Sequence, residues 1–392
     1  MVILLALVVL AGWWWTGYRQ AATVLEASSQ SQAGHGSVGA PLLASMRLPE
    51  GAHVDPAIRA CERALMEAFN SHARDLRLRP DTVSQTAYAL APPFGTPGDA
   101  EEWGTDAALR IGELRLAKSR RHLLHAASLA PGDMRIQWLA ATQCEGEPGC
   151  GQALGSLLAK DPDNMAGWLH ELARARTAND EQAALRALHG AANAKYYEPF
   201  HRIANTLLID AYADVPEPAQ CRTTEAKASF ARVLGEGREF SVLDHVAAMS
   251  SLVNMFPSFG GLAQLCGSGD GAPLPKAVRG SCMKVLGRLA DAPYLIERAV
   301  GLAAMARLTA DDKDGATWRE RYRQFRWMQQ QMSDPKVQAL LRPEDYLLEE
   351  ANTMQAILQA EGRWPPPTDW QPEDERARSR VRAGSPSPRR GG

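Results

Sequence analysis

No glycine-rich phosphate loop, dinucleotide fingerprint or Gly-x-Ser-x-Gly elbow occurs in the 392 residues of this chain. Nucleotide binding and serine hydrolysis by the familiar routes therefore have no motif to rest on. Excess charge is also missing: 43 Lys and Arg against 45 Asp and Glu leave a formal charge of −2. A chain so balanced has no global pull toward nucleic acid, and no nucleic-acid partner is expected. Runs of β-branched residues are scarce, and beyond the N-terminus no segment alternates as a half-buried strand would. No Cys-x₂-Cys pair accompanies the cysteines, so a structural zinc site lacks its usual spacing.

The partial motifs fail for specific reasons. His170-Glu171-Leu172-Ala173-Arg174 has Arg where a zincin needs its second His, and reads as a solvated helix face. His122 and His125 lie three apart, but Arg120 and Arg121 beside them oppose a cation. Asp311-Asp312-Lys313-Asp314-Gly315 looks like a calcium loop until the register is set on Gly315. Ala310 and Arg321 then fall at ligand positions, so the stretch reads as a helix start. Trp318 to Trp327 mixes arginines and aromatics, with Trp318, Tyr322 and Phe325 on one helical face and Arg319, Arg323 and Arg326 on the next. No catalytic residue, metal or cofactor is expected.

Helical signals fill most of the remainder. Asp161-Pro162 is a natural N-cap followed by a first-turn proline, after which Trp168, Leu172 and Ala175 recur at i, i+4 and i+7. Thr177-Ala178-Asn179-Asp180 breaks that pattern, and Asn179 or Asp180 can cap a second helix carrying Ala184, Leu188 and Ala191 on one face. Small alanines facing a tryptophan let two antiparallel helices approach closely. Leu129-Ala130-Pro131-Gly132-Asp133 leads to Trp138 in a fainter copy. Over 161–191 the unit resembles a tetratricopeptide repeat, although Glu171-Leu172 replaces the usual Leu-Gly and Ala175 an aromatic. The resemblance implies an architecture only: an all-α, antiparallel helix-pair array, or solenoid. Helical patterns are expected over 105–129, 133–143, 149–160, 164–177, 180–194 and 196–213, and then over 222–235, 240–254, 274–290, 294–309, 312–331 and 343–361. A first helix follows Asp55-Pro56, with Ile58, Leu65 and Phe69 on one face.

The ends divide the chain further. Val2 to Tyr18 is apolar, and seventeen helical residues reach roughly 25 Å, near the ~30 Å of a hydrocarbon core. Trp13, Trp14, Trp15 and Tyr18 resemble an interfacial belt. Residues 1–19 are read as an anchor in a bacterial-type inner membrane, with a cleaved signal and a secreted protein as the alternative. No Lys or Arg precedes the run, and the true start can lie upstream. Residues 20–54 read as a tether, 55–215 and 216–363 as two helical halves divided near Pro216 and Pro218, and 364–392 as a Pro/Arg-rich disordered tail.

Six cysteines give the compartment. Cys144 and Cys150 flank one turn, and Cys266 and Cys282 flank a Gly-rich loop. Disulfides at both pairs fit the oxidising, periplasmic side of the membrane. Cys61 and Cys221 are left to pair or to be buried singly. Tyr196, Tyr197, Phe200 and His201 form an aromatic cluster after the best repeat and are the candidates for contact with a partner. The expected function is a membrane-anchored scaffold, facing the periplasm, that binds a protein or peptide. A cell-envelope hydrolase using carboxylates that sequence cannot pair is the alternative. A shallow groove favours the first, and a cleft holding two carboxylates the second.

Overall fold

The computed structural model describes residues 55–91, 120–143, 150–234, 259–267, 274–332, 334–341 and 343–372. Among them there is no β-strand, and helices joined by turns account for almost all of the fold. The N-terminal apolar run, the tether, Cys144 and the end of the tail lie outside the described residues. No described helix is long and apolar enough to cross a membrane.

The helices are α1 (Pro56–Leu78), α2 (Thr82–Leu90), α3 (Met134–Gln143), α4 (Cys150–Lys160), α5 (Met165–Thr177), α6 (Glu181–Asn193) and α7 (Phe200–Tyr212). They continue as α8 (Thr224–Leu234), α9 (Gly260–Cys266), α10 (Lys276–Ala290), α11 (Leu295–Leu308), α12 (Gly315–Gln331), α13 (Pro335–Leu340) and α14 (Pro343–Ala360). Residues 120–129 are helical as well. Among the described residues most boundaries fall within three residues of the spans expected from periodicity, while the helix expected over 240–254 and the start of that expected over 105–129 lie outside them. Short α2, α9 and α13 were not expected, because six to nine residues are too few to show a helical period.

Packing runs in a row: α3 on α4, α4 on α5, α5 on α6, α6 on α10, α10 on α11 and α11 on α12. The neighbour of α6 is thus not the next helix in sequence. Instead α7 turns away to pack on α2, α3 and α14, and α8 packs on α1. One apolar core joins Ile58, Leu65, Phe69, Trp138 and Phe200 to Cys221 and Ala226, and so extends past the expected division at 215/216. A second gathers Leu172, Ala184 and Leu188 with Cys282, Val285, Leu286 and Leu289. Burying each such Leu or Phe contributes about 1.5–3 kcal/mol. Two disulfides tie these cores: Cys61–Cys221, which fixes α1 to residues 219–221, and Cys266–Cys282, which joins α9 to α10.

Two tryptophans set the spacing of the row. The Trp138 ring lies where a Cβ on Gly167 would go, and the Trp168 ring occupies the same place over Gly190. Only glycine permits these close approaches. Both indole N–H groups return to one turn: Trp138 donates to Asp161 Oδ2 at 3.0 Å and Trp168 to the Pro162 carbonyl at 2.8 Å.

The sequence assignment of one cap is corrected. Asn164, not Asp161, is the N-cap of α5, with its Oδ1 accepting from Ala166 N at 3.1 Å. Asp161 is instead occupied by Trp138 and by the Tyr196 hydroxyl, which donates at 2.8 Å. On α6, Asp180 is the cap and accepts from Ala183 N.

Candidate functional site

The turn 161–164 and the segment 195–199 are laced together and organise everything around them. Asn164 Nδ2 donates to the Glu198 carbonyl at 3.2 Å, and Glu198 N donates back to Asn164 Oδ1 at 3.1 Å. Met165 N donates to the Tyr196 carbonyl at 2.9 Å, and Lys195 forms an ion pair with Asp163 at 2.7 Å. The extended backbone of 195–199 alternates its side chains, so neighbouring tyrosines point to opposite environments.

That alternation separates the four aromatic candidates. Tyr196 is 46% exposed, and burial of its hydroxyl, then its bond to Asp161, pushes its pKa up to about 12. Tyr197 turns inward and donates to Glu297 Oε1 at 2.9 Å. Phe200 is wholly buried, stacked on Trp138 with ring centroids 5.0 Å apart. His201 is buried against the edge of Tyr294 at 4.6 Å, its Nδ1 3.6 Å from Glu297 Oε1. Only Tyr196 of the four presents substantial surface to solvent. Of the cysteine candidates, Cys266 and Cys282 are bonded to each other, while the Cys144–Cys150 pairing lies outside the described residues.

His170 also departs from its expected place on a solvated face. The Phe200 ring, 5.2 Å away, closes over the imidazole, and burial depresses its pKa to about 4. Glu171, one residue on, is only partly exposed and holds the exposed Arg174 at 2.6 Å.

Two features offer chemistry. The first is an open, mostly apolar groove of about 930 Å³ along α4, α5 and α6. Leu158, Trp168 and Ala187 give it a greasy floor, and Leu185 is 39% exposed on its edge. Its charged rim is Glu171 and Arg174, which neutralise each other, and Arg186, an exposed cation with no carboxylate partner among the described residues. The second is a buried polar cluster: Tyr197, His201, Tyr294, Glu297 and Glu350. Burial raises Glu297 to about 7, while Glu350 is raised to about 8 by burial and then by the charge of Glu297. Burial keeps His201 neutral down to about pH 3.

The sequence missed both. Groove residues such as Leu185 and Arg186 are ordinary helix-surface residues whose convergence depends on how α4 and α6 meet α5. Glu297 and Glu350 are 53 positions apart in sequence, and only the docking of α14 brings them together. One signal was legible: Glu297 falls among apolar neighbours on the buried face of α11. No group of three His, Cys, Asp or Glu among the described residues could hold a metal ion. The chain matches no protein-family model, no curated protein and no solved structure.

Proposed function

We propose that the protein is a helical-repeat scaffold, tethered to a membrane by its N-terminal segment, whose groove along α4, α5 and α6 binds a segment of a partner protein. The single observation that carries this is the groove itself: open, apolar and rimmed by an exposed arginine with no carboxylate partner among the described residues. Such a surface suits an amphipathic helix that lays apolar residues on Trp168 and Leu158 and offers a carboxylate to Arg186. The row from α3 to α12 supports a solenoid reading of the tetratricopeptide-like kind, with α7 and α8 as an excursion. Two disulfides support a place on the oxidising, periplasmic side of a bacterial-type inner membrane, where an anchor would raise the local concentration of the scaffold.

A hydrolase is the weaker reading. Glu297 and Glu350 are a shifted carboxylate pair, but Glu297 has no exposed surface and neither residue lines the groove. General acid–base catalysis needs both groups within reach of a substrate.

The test is a photo-crosslinking amino acid at Leu185 in the full chain, in its native membrane, with the same probe at exposed Leu340 as control. A discrete adduct from position 185, absent from position 340 and reduced at least tenfold by Arg186→Glu, is the expected result. Equal labelling from both positions, or an adduct indifferent to the charge at 186, would defeat the proposal.

A further inference from the structure

The buried carboxylates join α11 and α14 to the extended segment 195–199, three stretches distant in sequence. Glu297 on α11 has no exposed surface; its Oε1 accepts from Tyr197, and its Oε2 has no hydrogen-bond partner among the described residues. The Tyr294 hydroxyl, just before α11, is buried without a hydrogen-bond partner as well. Glu350 is half-buried as a residue, but its carboxyl is enclosed. Helical dihedrals lapse at Glu349 (φ −151°, ψ 49°), and Glu350 begins the second part of α14. There its Oε2 accepts from Leu295 N at 3.3 Å, and Ala351 N donates to the Pro293 carbonyl at 2.8 Å. The second part of α14 is thus fastened to the start of α11 at the point where the helix is interrupted.

Among the described residues no neighbouring cation is placed to neutralise these carboxylates. From the α7 side, Arg202 is held by Glu198 at 3.0 Å, and His201 is neutral. On α11, Arg298 donates to the Ala292 carbonyl, Asn352 Oδ1 and Gln355 Oε1. Asp291, at the end of α10, is paired with Arg321 of α12 at 2.5 Å. Arg323 of α12 bonds Glu320 and the carbonyls of Pro367 and Trp370. Glu349 adds a further negative group near Tyr294. Two ionised carboxylates in such surroundings repel one another in a desolvated space.

We propose that Glu297 and Glu350 form a proton-dependent latch: with both carboxyls protonated the second part of α14 stays docked on α11 and α12, and loss of those protons releases it. The sign follows from burial. Both groups hold their protons more tightly folded than unfolded, so their contribution is complete below the ordinary Glu range. It is lost as pH rises through about 7 for Glu297 and about 8 for Glu350.

The test is hydrogen exchange of the full chain between about pH 5.5 and 8.5, corrected for intrinsic rates, with α5 and α6 as internal reference. Protection of residues 350–360 is expected to fall at least tenfold relative to that reference in the wild type, and to stay level in Glu297→Gln/Glu350→Gln. Equal loss in wild type and double variant overturns the latch, as does a flat wild-type profile. Should the double variant not fold, the protonated-carboxyl infrared band of the wild type decides. Its loss over the same pH range as the protection supports the latch, and its loss in the ordinary carboxylate range overturns it.

Discussion

Asn164 and Glu198 bond each other reciprocally across 34 residues of sequence, side-chain amide to backbone in both directions. The same Asn164 Oδ1 caps α5, so one buried amide fixes both the start of the groove helix and the segment that delivers Tyr197 to Glu297. Asn164→Ala leaves three backbone groups short of a partner. Each unsatisfied buried group costs about 1–3 kcal/mol, moderated where water can enter. A loss of roughly 2–4 kcal/mol is expected by chemical denaturation. Asp161→Ala, at the position that sequence alone favours as the cap, should leave the helix start intact, because Asn164 holds it. Amide exchange at Ala166 distinguishes the two: fast in the first variant and unchanged in the second.

The mistaken cap shows where sequence reasoning reached its limit. An aspartate before a proline carries every local mark of a helix start, and only the arrival of Trp138 and Tyr196 from other helices diverts it. The i, i+4, i+7 pattern of Leu172 and Ala175, then Ala184, Leu188 and Ala191, is a property of one helix at a time, and all five are buried. Trp168, on the same pattern, is only partly covered and becomes part of the groove floor. The order of helices in the row was hidden for a different reason. Nothing local to α6 states that its next neighbour is α10, some 80 residues on, since the apolar faces of α7 and α10 are chemically alike. The four aromatics were visible as a cluster, but their division between solvent, core and buried carboxylate depends on the extended backbone of 195–199.

Burial of two histidines predicts an acid limb of stability opposite in sign to the latch. His170 is lowered to about 4 and His201 to about 3, both by desolvation. A group whose pKa falls on folding contributes stability that is complete above its ordinary value near 6.5 and lost as pH drops toward the folded value. In His170→Phe the aromatic contact with Phe200 is kept and the proton uptake removed. The variant should therefore gain on the wild type by roughly 1–2 kcal/mol on acidification from about pH 7 to 5. Thermal melting at both pH values measures the difference directly. A stability gap that does not change with pH would show that the imidazole is not desolvated in solution.

The two disulfides among the described residues offer a contrast in loop size. Cys61–Cys221 closes 160 residues and Cys266–Cys282 closes 16. In the chain-entropy model these loops are worth about 5 and about 3 kcal/mol. The longer bridge has a second role that the shorter lacks, because it pins residues 219–221 to α1 while α8 packs on that helix. Removing it by Cys61→Ser/Cys221→Ser should lower the melting temperature more than Cys266→Ser/Cys282→Ser does. It should also raise exchange locally in α8 and in the Ala226 region of the first core. In the other variant the disturbance belongs to α9 and its packing on α5, beside the groove. Differential scanning calorimetry orders the two variants, and exchange mapping locates each effect. If the short-loop variant melts lower, strain or residual structure in the unfolded chain outweighs loop entropy, and the ranking by loop length fails.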